Sequence, residues 1–290
     1  MRGEWRERLS VPVLLAPAMA VVIVLFMGGL LMGLAQSFGY LPVIGQTDFN
    51  LKGYINILHD EAFIQALLQT IWISFSSTIF STVLAIICAL VLRQSLVGKK
   101  VISFIFQLNV PLPHIVGAIA ISFLLSQSGM ISRFTHLIGL TNHPSDFIPL
   151  VYDRLSAGVI LEYLWKTSTF TGVILLAVLT SLGENYEELA RSLGANRWQR
   201  FWYVILPLIM PGVLRSSILV FTFAFGSYEV PYLLGQKFPP ALPVLAFQYY
   251  QDVDLGARQE AMAISMIIAA LSTILIIIYM KLVRTYLRSD

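Results

Sequence analysis

Long apolar runs dominate the chain and recur six times between shorter polar segments. A helix needs about 20 predominantly apolar residues to cross the roughly 30 Å hydrocarbon core of a bilayer, and each run reaches that length. The runs lack the charged face that amphipathic helices of a large soluble core carry. The pattern predicts an all-α membrane protein, a single domain over residues 1–290, with six transmembrane helices at about residues 11–35, 66–92, 101–125, 157–182, 205–234 and 261–283.

Prolines interrupt two of these runs. Pro111 and Pro113 lie early in the third run, and Pro231 lies late in the fifth. Proline removes a helix hydrogen bond and kinks the helix, which a membrane tolerates only where protein or a cavity satisfies the freed carbonyl groups. We expect kinks at both places, as packing features or beside a cavity.

The overall composition supports a membrane protein. Of the 290 residues, 57% are hydrophobic and only 12% are charged, against about 25% charged in soluble domains. The first run is too long for the roughly 7–15-residue core of a signal peptide and lacks a small-residue cleavage site, so we interpret it as a retained helix. The single cysteine, Cys88, excludes an internal disulfide and a multi-cysteine metal site.

The placement of Lys and Arg predicts the orientation, because cytoplasmic loops are enriched in these residues. If both termini are cytoplasmic, twelve basic residues lie inside and five outside, leaving out Lys166 and Arg215 within the runs. We therefore expect both termini in the cytoplasm and no nucleic-acid partner. The inside set is Arg2, Arg6, Arg8, Arg93, Lys99, Lys100, Arg191, Arg197, Arg200, Lys281, Arg284 and Arg288, and the outside set is Lys52, Arg133, Arg154, Lys237 and Arg258.

The predicted cytoplasmic loop 183–204 has its own helical pattern. Asn185 is suited to cap a first helix, with Glu188 three residues on, and Glu187 and Arg191 have the i, i+4 spacing of a salt link. Gly194 is suited to a left-handed helix stop. Asn196 is suited to cap a second helix, residues 197–206, before Pro207 turns the chain into the fifth span. The loop predicts a helix-turn-helix on the inner face of the membrane.

Here the residues resemble a known family. The run Glu188-Leu189-Ala190, then Gly194, then Val204-Ile205-Leu206-Pro207 is similar to the EAA loop of permeases in binding-protein-dependent ABC importers. That signature has Glu-Ala-Ala, three residues, Gly, nine residues, then Ile-x-Leu-Pro; the departures are Leu189 for Ala and Val204 for Ile. With six spans, the chain resembles the type I inner-membrane permeases.

The resemblance implies the partners. In that family the short helix of the loop docks into a cleft of the ATP-binding subunit. The chain has no Gly-x4-Gly-Lys-Ser/Thr phosphate loop, so we expect it to be no enzyme and to bind no cofactor, with ATP and Mg²⁺ on the partner. Expected partners are two ABC ATPase subunits, a second, non-identical permease, a periplasmic or lipid-anchored solute-binding protein, and lipids of the bacterial inner membrane. The implied coupling residues are Glu187, Glu188, Leu189, Ala190, Arg191, Leu193, Gly194 and Ala195.

Polar residues within the runs are candidates for the solute path, because ionisable groups are costly in a membrane. Glu162 and Lys166 share one helical face and either line the path or neutralise each other as a structural pair. Glu229 is expected beside a break in the fifth helix. The full candidate set is Glu162, Lys166, Glu229, Tyr228, Asn109 and His114, with no metal site expected.

The residues before the loop glycine and the charges within the runs bear on the class of solute. The run from Arg191 to Ala195 lacks the Asp that tends to precede the loop glycine in sugar permeases, and it resembles permeases for polyamines, and also those for sulfate, molybdate or ferric iron. Glu162 and Glu229 suit a cation, whereas Lys166 does not, and we favour a polyamine or similar organic cation. Alternatives to an importer working by alternating access are an ion-gradient-driven secondary carrier, which gives the loop no role, and an intramembrane enzyme, for which His114 is the sole histidine within a run.

Overall fold

The computed structural model describes residues 2–93, 99–182 and 185–288. These residues are helical or lie in connecting loops, and no β-strand occurs among them, which confirms the all-α class. The helices are α1 (Arg2–Ser37), α2 (Lys52–His59), α3 (Glu61–Arg93), α4 (Lys99–Gln107), α5 (His114–Leu125), α6 (Met130–Leu137), α7 (Ala157–Leu182), α8 (Asn185–Ser192), α9 (Arg197–Arg200), α10 (Leu206–Gly226), α11 (Glu229–Leu234), α12 (Leu242–Tyr250) and α13 (Ala257–Arg288).

Six helical segments in the described residues are long and apolar enough to cross a membrane, as predicted. They are Leu14–Ser37, Glu61–Arg93, His114–Leu137, Ala157–Ser181, Arg197–Gly226 and Ala257–Arg284. Their bounds differ from the predicted ones most in the third and fifth segments, and in both cases proline is the cause.

The third predicted span is divided. Helix α4 ends at Gln107 and α5 begins at His114, with Pro111 and Pro113 in the gap between them. The spanning segment therefore begins at His114 and not near residue 101, because neither proline nitrogen can donate a helix hydrogen bond and each ring clashes with the carbonyl four residues earlier. The expected interruption is confirmed.

The fifth span was predicted over residues 205–234, whereas the spanning segment in the structure runs from Arg197 to Gly226, so both its ends lie nearer the N-terminus than predicted. Helix α10 stops at Gly226, and Ser227 is extended at ψ 133° before α11 begins at Glu229. In an unbroken helix the ring of Pro231 would clash with the carbonyl of Ser227, whereas the break places Pro231 in the first turn of α11, where proline is tolerated. The break thus lies upstream of the proline and not at it.

At its other end the fifth segment has no stop at Pro207, so the expected short second helix over residues 197–206 is wrong. Helix α9 passes through a π-helical turn, Phe201–Ile205, directly into α10. The amide of Leu206 donates to the carbonyl of Phe201, five residues back. The wider turn lies next to the carbonyl of Tyr203, with which the Pro207 ring would otherwise clash, so the helix continues.

The described chain divides into two compact units, one from residues 1–61 and 246–267 and the other from residues 62–245 and 268–290. In the first unit, the buried Gln259 amide donates to Asn50 Oδ1 at 2.9 Å, and Tyr249 donates to Asp60 Oδ2 at 2.7 Å. The second unit contains all the candidate site residues. The expectation of a single domain over residues 1–290 stays a prediction.

Two apolar clusters hold the second unit together. One surrounds the buried ring of Tyr163 and joins α5, α7, α10 and α11. The other packs Ala85 and Ala89 of α3 together with Leu175 of α7, Ile205 of the π-helical turn and Ile209 of α10. Small residues at such contacts let membrane helices approach closely, and this second cluster lies beneath the helix-turn-helix.

Candidate functional site

Helix α8 and the turn after it form the first half of the helix-turn-helix. Gly194 has φ +84°, a left-handed conformation that glycine adopts without strain. Its amide donates to the carbonyl of Arg191 at 3.0 Å, and the amide of Ala195 donates to that of Ala190 at 3.0 Å. This pair of bonds is the Schellman motif, which satisfies the last carbonyl groups of a helix. The predicted glycine stop is confirmed.

The second half begins with a capping box. The side chain of Asn196 accepts from the Gln199 amide at 2.8 Å, and the Gln199 side chain accepts from the Asn196 amide at 2.9 Å. This confirms Asn196 as a cap. Residues 183 and 184 of the loop lie outside the described residues. The side chain of Asn185, the predicted cap of the first helix, is not described either, so this cap stays a prediction.

A salt bridge ties α8 to the end of α3. Glu187 Oε2 lies 2.7 Å from a guanidinium nitrogen of Arg93, with side-chain exposures of 27% and 16%. The predicted link from Glu187 to Arg191 is therefore wrong: Arg191 is exposed, and Glu187 points to the neighbouring helix. Sequence analysis missed this role of Arg93 because the two residues are far apart along the chain.

The outer surface of α8 and of the turn that follows it is apolar in the middle and charged at its sides. Leu189 is 62% exposed and Leu193 is 81% exposed. Ala190 and Ala195 are half-buried, whereas Glu188 is exposed. Two leucines at i, i+4 that contact little of their own chain form a ridge suited to a partner's groove.

The second candidate site is a cavity of about 320 Å³ within the membrane-spanning region. Three of its lining side chains are polar and the others are apolar or aromatic. It is lined by Val110, His114, Lys166, Thr167, Phe170, Leu219, Val220 and Phe223. Of the predicted path residues, the structure therefore brings His114 and Lys166 to one cavity, and Thr167, Phe170 and Phe223 are additions that apolar periodicity did not single out.

Lys166 supports the broken third span. Its ammonium group donates to the carbonyl of Asn109 and lies 3.5 Å from that of Val110. Pro113 is the residue whose missing N–H would have served the Asn109 carbonyl in a continuous helix. The side-chain amide of Asn109 in turn donates to the Trp165 carbonyl at 2.9 Å and to Thr169 at 3.2 Å. Asn109 thus anchors the break and does not line the cavity.

Glu162 lies behind the cavity wall. It is fully buried, and its two carboxylate oxygens lie 3.1 and 3.2 Å from Nδ1 of His114. A Cβ atom on Gly117 would lie 2.8 Å from Glu162 Oε1, so glycine makes room for the carboxylate. Of the two alternatives for Glu162 and Lys166, the structure does not form the direct pair: the carboxylate lies against His114, and the ammonium group donates to a backbone carbonyl.

The remaining candidates lie elsewhere. Tyr228 stacks on Tyr232 with ring centroids 5.0 Å apart, and Glu229 is exposed at the start of α11. Neither lines the cavity. The described residues contain no cluster of three His, Cys, Asp or Glu side chains able to hold a metal ion.

Comparison with known proteins decides the family. Residues 81–290 match the family model described as the binding-protein-dependent transport system inner membrane component. The chain belongs to this family. It is a type I ABC importer permease and a multi-pass membrane protein, and in this family ATP is hydrolysed by a partner ATPase. Membership in this family supports the importer hypothesis over the two alternatives, a secondary carrier and an intramembrane enzyme.

Relatives and a solved structure agree with this assignment. The permease is 26% identical over 290 residues to the trehalose/maltose transport system permease protein MalF of Thermococcus litoralis, covering 97% of this chain and 96% of the relative. It is 30% identical over 240 residues to the sulfate transport system permease protein CysT of Synechocystis sp., covering 81% and 79%. A bacterial ABC transporter involved in import of the acidic polysaccharide alginate contains a chain with the same fold, at TM-score 0.80 and 20% identity over 98% of both chains.

Proposed function

We propose that the permease docks onto a partner ATPase through α8 and the turn that follows it. The observation that carries this proposal is the ridge of Leu189 and Leu193, which is exposed on a helix fixed at its start by the Glu187–Arg93 pair and ended by Gly194. An apolar helix face of this kind binds a groove through i, i+4 anchors. The docking surface comprises Glu187, Glu188, Leu189, Ala190, Arg191, Leu193, Gly194 and Ala195.

The assembly that we propose is an importer with two ATPase subunits, which hold ATP and Mg²⁺, and a second, non-identical permease. A periplasmic or lipid-anchored binding protein delivers the solute on the opposite face. Both termini of this chain lie on the cytoplasmic side of the inner membrane, as the positive-inside rule favours. ATP binding draws the ATPases together, moves α8 with them, and switches access to the path from one side of the membrane to the other.

The solute is a small polar molecule, and the cavity bears on its charge. The preference for a polyamine depends on Glu162 and Glu229, yet Glu162 is buried behind His114 and Glu229 does not line the cavity. The polar side chains at the wall are His114, Lys166 and Thr167. A wall with an ammonium group favours a solute with hydrogen-bond acceptors. We therefore place a neutral or anionic polar solute first, and a polyamine recognised through the exposed Glu229 second.

Docking is tested in the reconstituted importer by solute-stimulated ATP hydrolysis. Leu189→Asp, Leu193→Asp and Gly194→Asp should each abolish stimulation while the protein still inserts, because they place charge in the docking groove. Arg284→Asp is the control, since Arg284 is exposed at the end of the sixth span, on the same predicted face but outside the loop. Full stimulation in the α8 variants would remove α8 from the interface.

The solute is tested through the receptor. The binding protein that co-purifies with the importer is analysed by mass spectrometry for its bound molecule, and uptake of that molecule into vesicles is measured with and without ATP. A neutral or anionic solute agrees with the cavity wall. A bound polyamine whose uptake is lost in Glu229→Gln would establish the second assignment instead.

A further inference from the structure

A basic recess lies beneath the helix-turn-helix, apart from the docking ridge and the solute cavity. Its volume is about 320 Å³, several times the roughly 30 Å³ that one water molecule occupies in the liquid. Arg93, Arg197 and Arg200 line it together with Glu187. Three guanidinium groups against one carboxylate leave a net charge of +2 at the recess.

The charged groups of the recess differ in whether they have a partner within the protein. Glu187 is taken by Arg93, at 2.7 Å. Within the described part of the chain, the Nε atom of Arg200 is buried and has no hydrogen-bond partner. A buried donor without a partner costs free energy, and the usual partners of such an atom are an ordered water or an ion. The unpartnered atom is Nε alone, and the side chain that carries it lines the recess, so Arg200 is one of the two arginines to test.

The remaining walls of the recess are apolar and lie at the end of two membrane spans. Leu90, Phe201 and Ile205 complete the lining. One spanning segment ends at Arg93 and another begins at Arg197, so the arginines lie together at one end of both segments.

Aromatic residues beside the recess favour a position at the level of the lipid headgroups. Trp198 and Trp202 are 70% and 47% exposed and contact each other edge to face, with ring centroids 5.8 Å apart. Exposed Trp residues are enriched at the level of lipid headgroups.

We propose that this recess binds a phosphate group, supplied by the headgroup of an anionic membrane lipid. Arginine pairs with phosphate through parallel hydrogen bonds, and basic pockets between spans on the cytoplasmic side accept anionic headgroups. Arg197 and Arg200 hold the phosphate, while Leu90 and Phe201 contact the start of the acyl region. The choice of leaflet rests on the orientation proposed above, whereas the phosphate site itself does not.

Native mass spectrometry of the full-length chain in mild detergent tests the site. Phosphatidylglycerol and phosphatidylcholine with the same acyl chains are titrated separately, and inorganic phosphate is added as a competitor. We expect phosphatidylglycerol to bind about tenfold more tightly than phosphatidylcholine. Arg197→Gln and Arg200→Gln should each weaken its binding about tenfold, as the loss of a charge-assisted hydrogen bond predicts.

Two controls separate a site from general charge. Arg284→Gln removes a guanidinium at the end of the sixth span, on the same predicted face but outside the recess, and should leave the affinity unchanged. Arg200→Lys keeps the positive charge but loses the planar guanidinium, whose paired N–H groups match a phosphate. Its affinity for phosphatidylglycerol should therefore lie between that of the wild type and that of Arg200→Gln. Size-exclusion profiles verify that each variant is folded.

The outcomes are distinct. Millimolar phosphate that displaces phosphatidylglycerol from the wild type but not from Arg200→Gln supports the phosphate site, and binding of phosphate alone would make the soluble anion its source. Equal affinity for both lipids, or recess variants that bind phosphatidylglycerol as the wild type does, overturns the proposal. Recess variants that bind phosphatidylglycerol as the wild type does, but lose the ATPase subunit in the reconstituted importer, would assign the recess to a protein contact. The phosphate site and the docking of the ATPase through α8 are tested separately. Leu189→Asp should lose ATPase docking and still bind phosphatidylglycerol as the wild type does.

Discussion

The salt bridge between Arg93 and Glu187 should hold α8 in place, and its removal should loosen that helix alone. The perturbation is Glu187→Gln, which keeps the shape of the side chain and removes its charge. Arg93 lies at the end of a membrane span, whereas α8 makes few other buried contacts on its outer face. Local opening of α8 is therefore the expected response, and global unfolding is not.

The size of the effect follows from the geometry of the pair. The contact is 2.7 Å, and both side chains are partly buried, at 16% and 27% exposure. Fully exposed pairs contribute about 0.2–1 kcal/mol, and hydrogen bonds to charged groups about 1.5–3 kcal/mol. Solvent screening at the more exposed Glu187 places this pair between the two ranges, at about 1–2 kcal/mol. That corresponds to a change of about 5–30-fold in the opening equilibrium of α8.

Hydrogen exchange read by mass spectrometry measures that equilibrium on a peptide covering residues 186–193. Glu188→Gln is the matched control, because Glu188 also lies in the first turn and loses the same favourable interaction with the helix dipole. The charge swap, Arg93→Glu with Glu187→Arg, should restore most of the protection. The double variant Arg93→Gln with Glu187→Gln should exchange no faster than the faster single variant, since the Arg93–Glu187 interaction is already lost in either single variant.

Two results would refute the reasoning. Exchange of α8 in Glu187→Gln within about twofold of the wild type would mean that the pair contributes nothing measurable. Equal acceleration in Glu187→Gln and Glu188→Gln would assign the effect to the helix dipole and not to Arg93.

Three further predictions concern the backbone and the buried charges. Gly194→Ala should cost about 1–2 kcal/mol at φ +84°, seen as faster exchange over residues 190–195, and Gly194→Asn should cost less; equal effects would exclude backbone strain. Lys166→Met should lower thermal stability by about 1–3 kcal/mol because it removes the donor that Asn109 and Val110 share and leaves the Asn109 carbonyl with only the long 3.3 Å bond from the Leu112 amide, whereas an unchanged unfolding midpoint would mean that other groups satisfy these carbonyls. Gly117→Ala should cost a similar amount, about 1–3 kcal/mol, because its Cβ would lie 2.8 Å from Glu162 and 3.1 Å from Trp165; a thermal-shift assay checks it, and a stabilised protein would contradict it.

Features written in the local sequence were predictable. The six spans follow from runs of apolar residues, and the turn at Gly194 and the cap at Asn196 follow from residue types whose backbone preferences are strong. Interruption of the third span was expected from Pro111 and Pro113.

Features that depend on distant partners were not predictable in the same way. Glu162 and Lys166 have an ideal helical spacing, yet His114 and the carbonyl of Asn109 offer each a better-placed partner from another segment. Glu187 likewise meets Arg93 across the bundle. Spacing along one helix cannot reveal such competition, because buried charges pair with whichever group completes their hydrogen bonds.

The fifth span is one continuous helix from α9 through the π-helical turn into α10. It can therefore transmit a rotation from one end to the other as a rigid body. From Arg197 to Gly226 it has 30 residues, which at 1.5 Å per residue is about 45 Å. Phe223, on the cavity wall, lies about 39 Å from the end that carries the coupling turn. A tilt of roughly 10° about that end displaces Phe223 by about 7 Å, more than the diameter of an aromatic ring. A small rotation imposed by the ATPase at Arg197 is therefore large enough, by length alone, to reshape the solute cavity without any local unfolding of the helix.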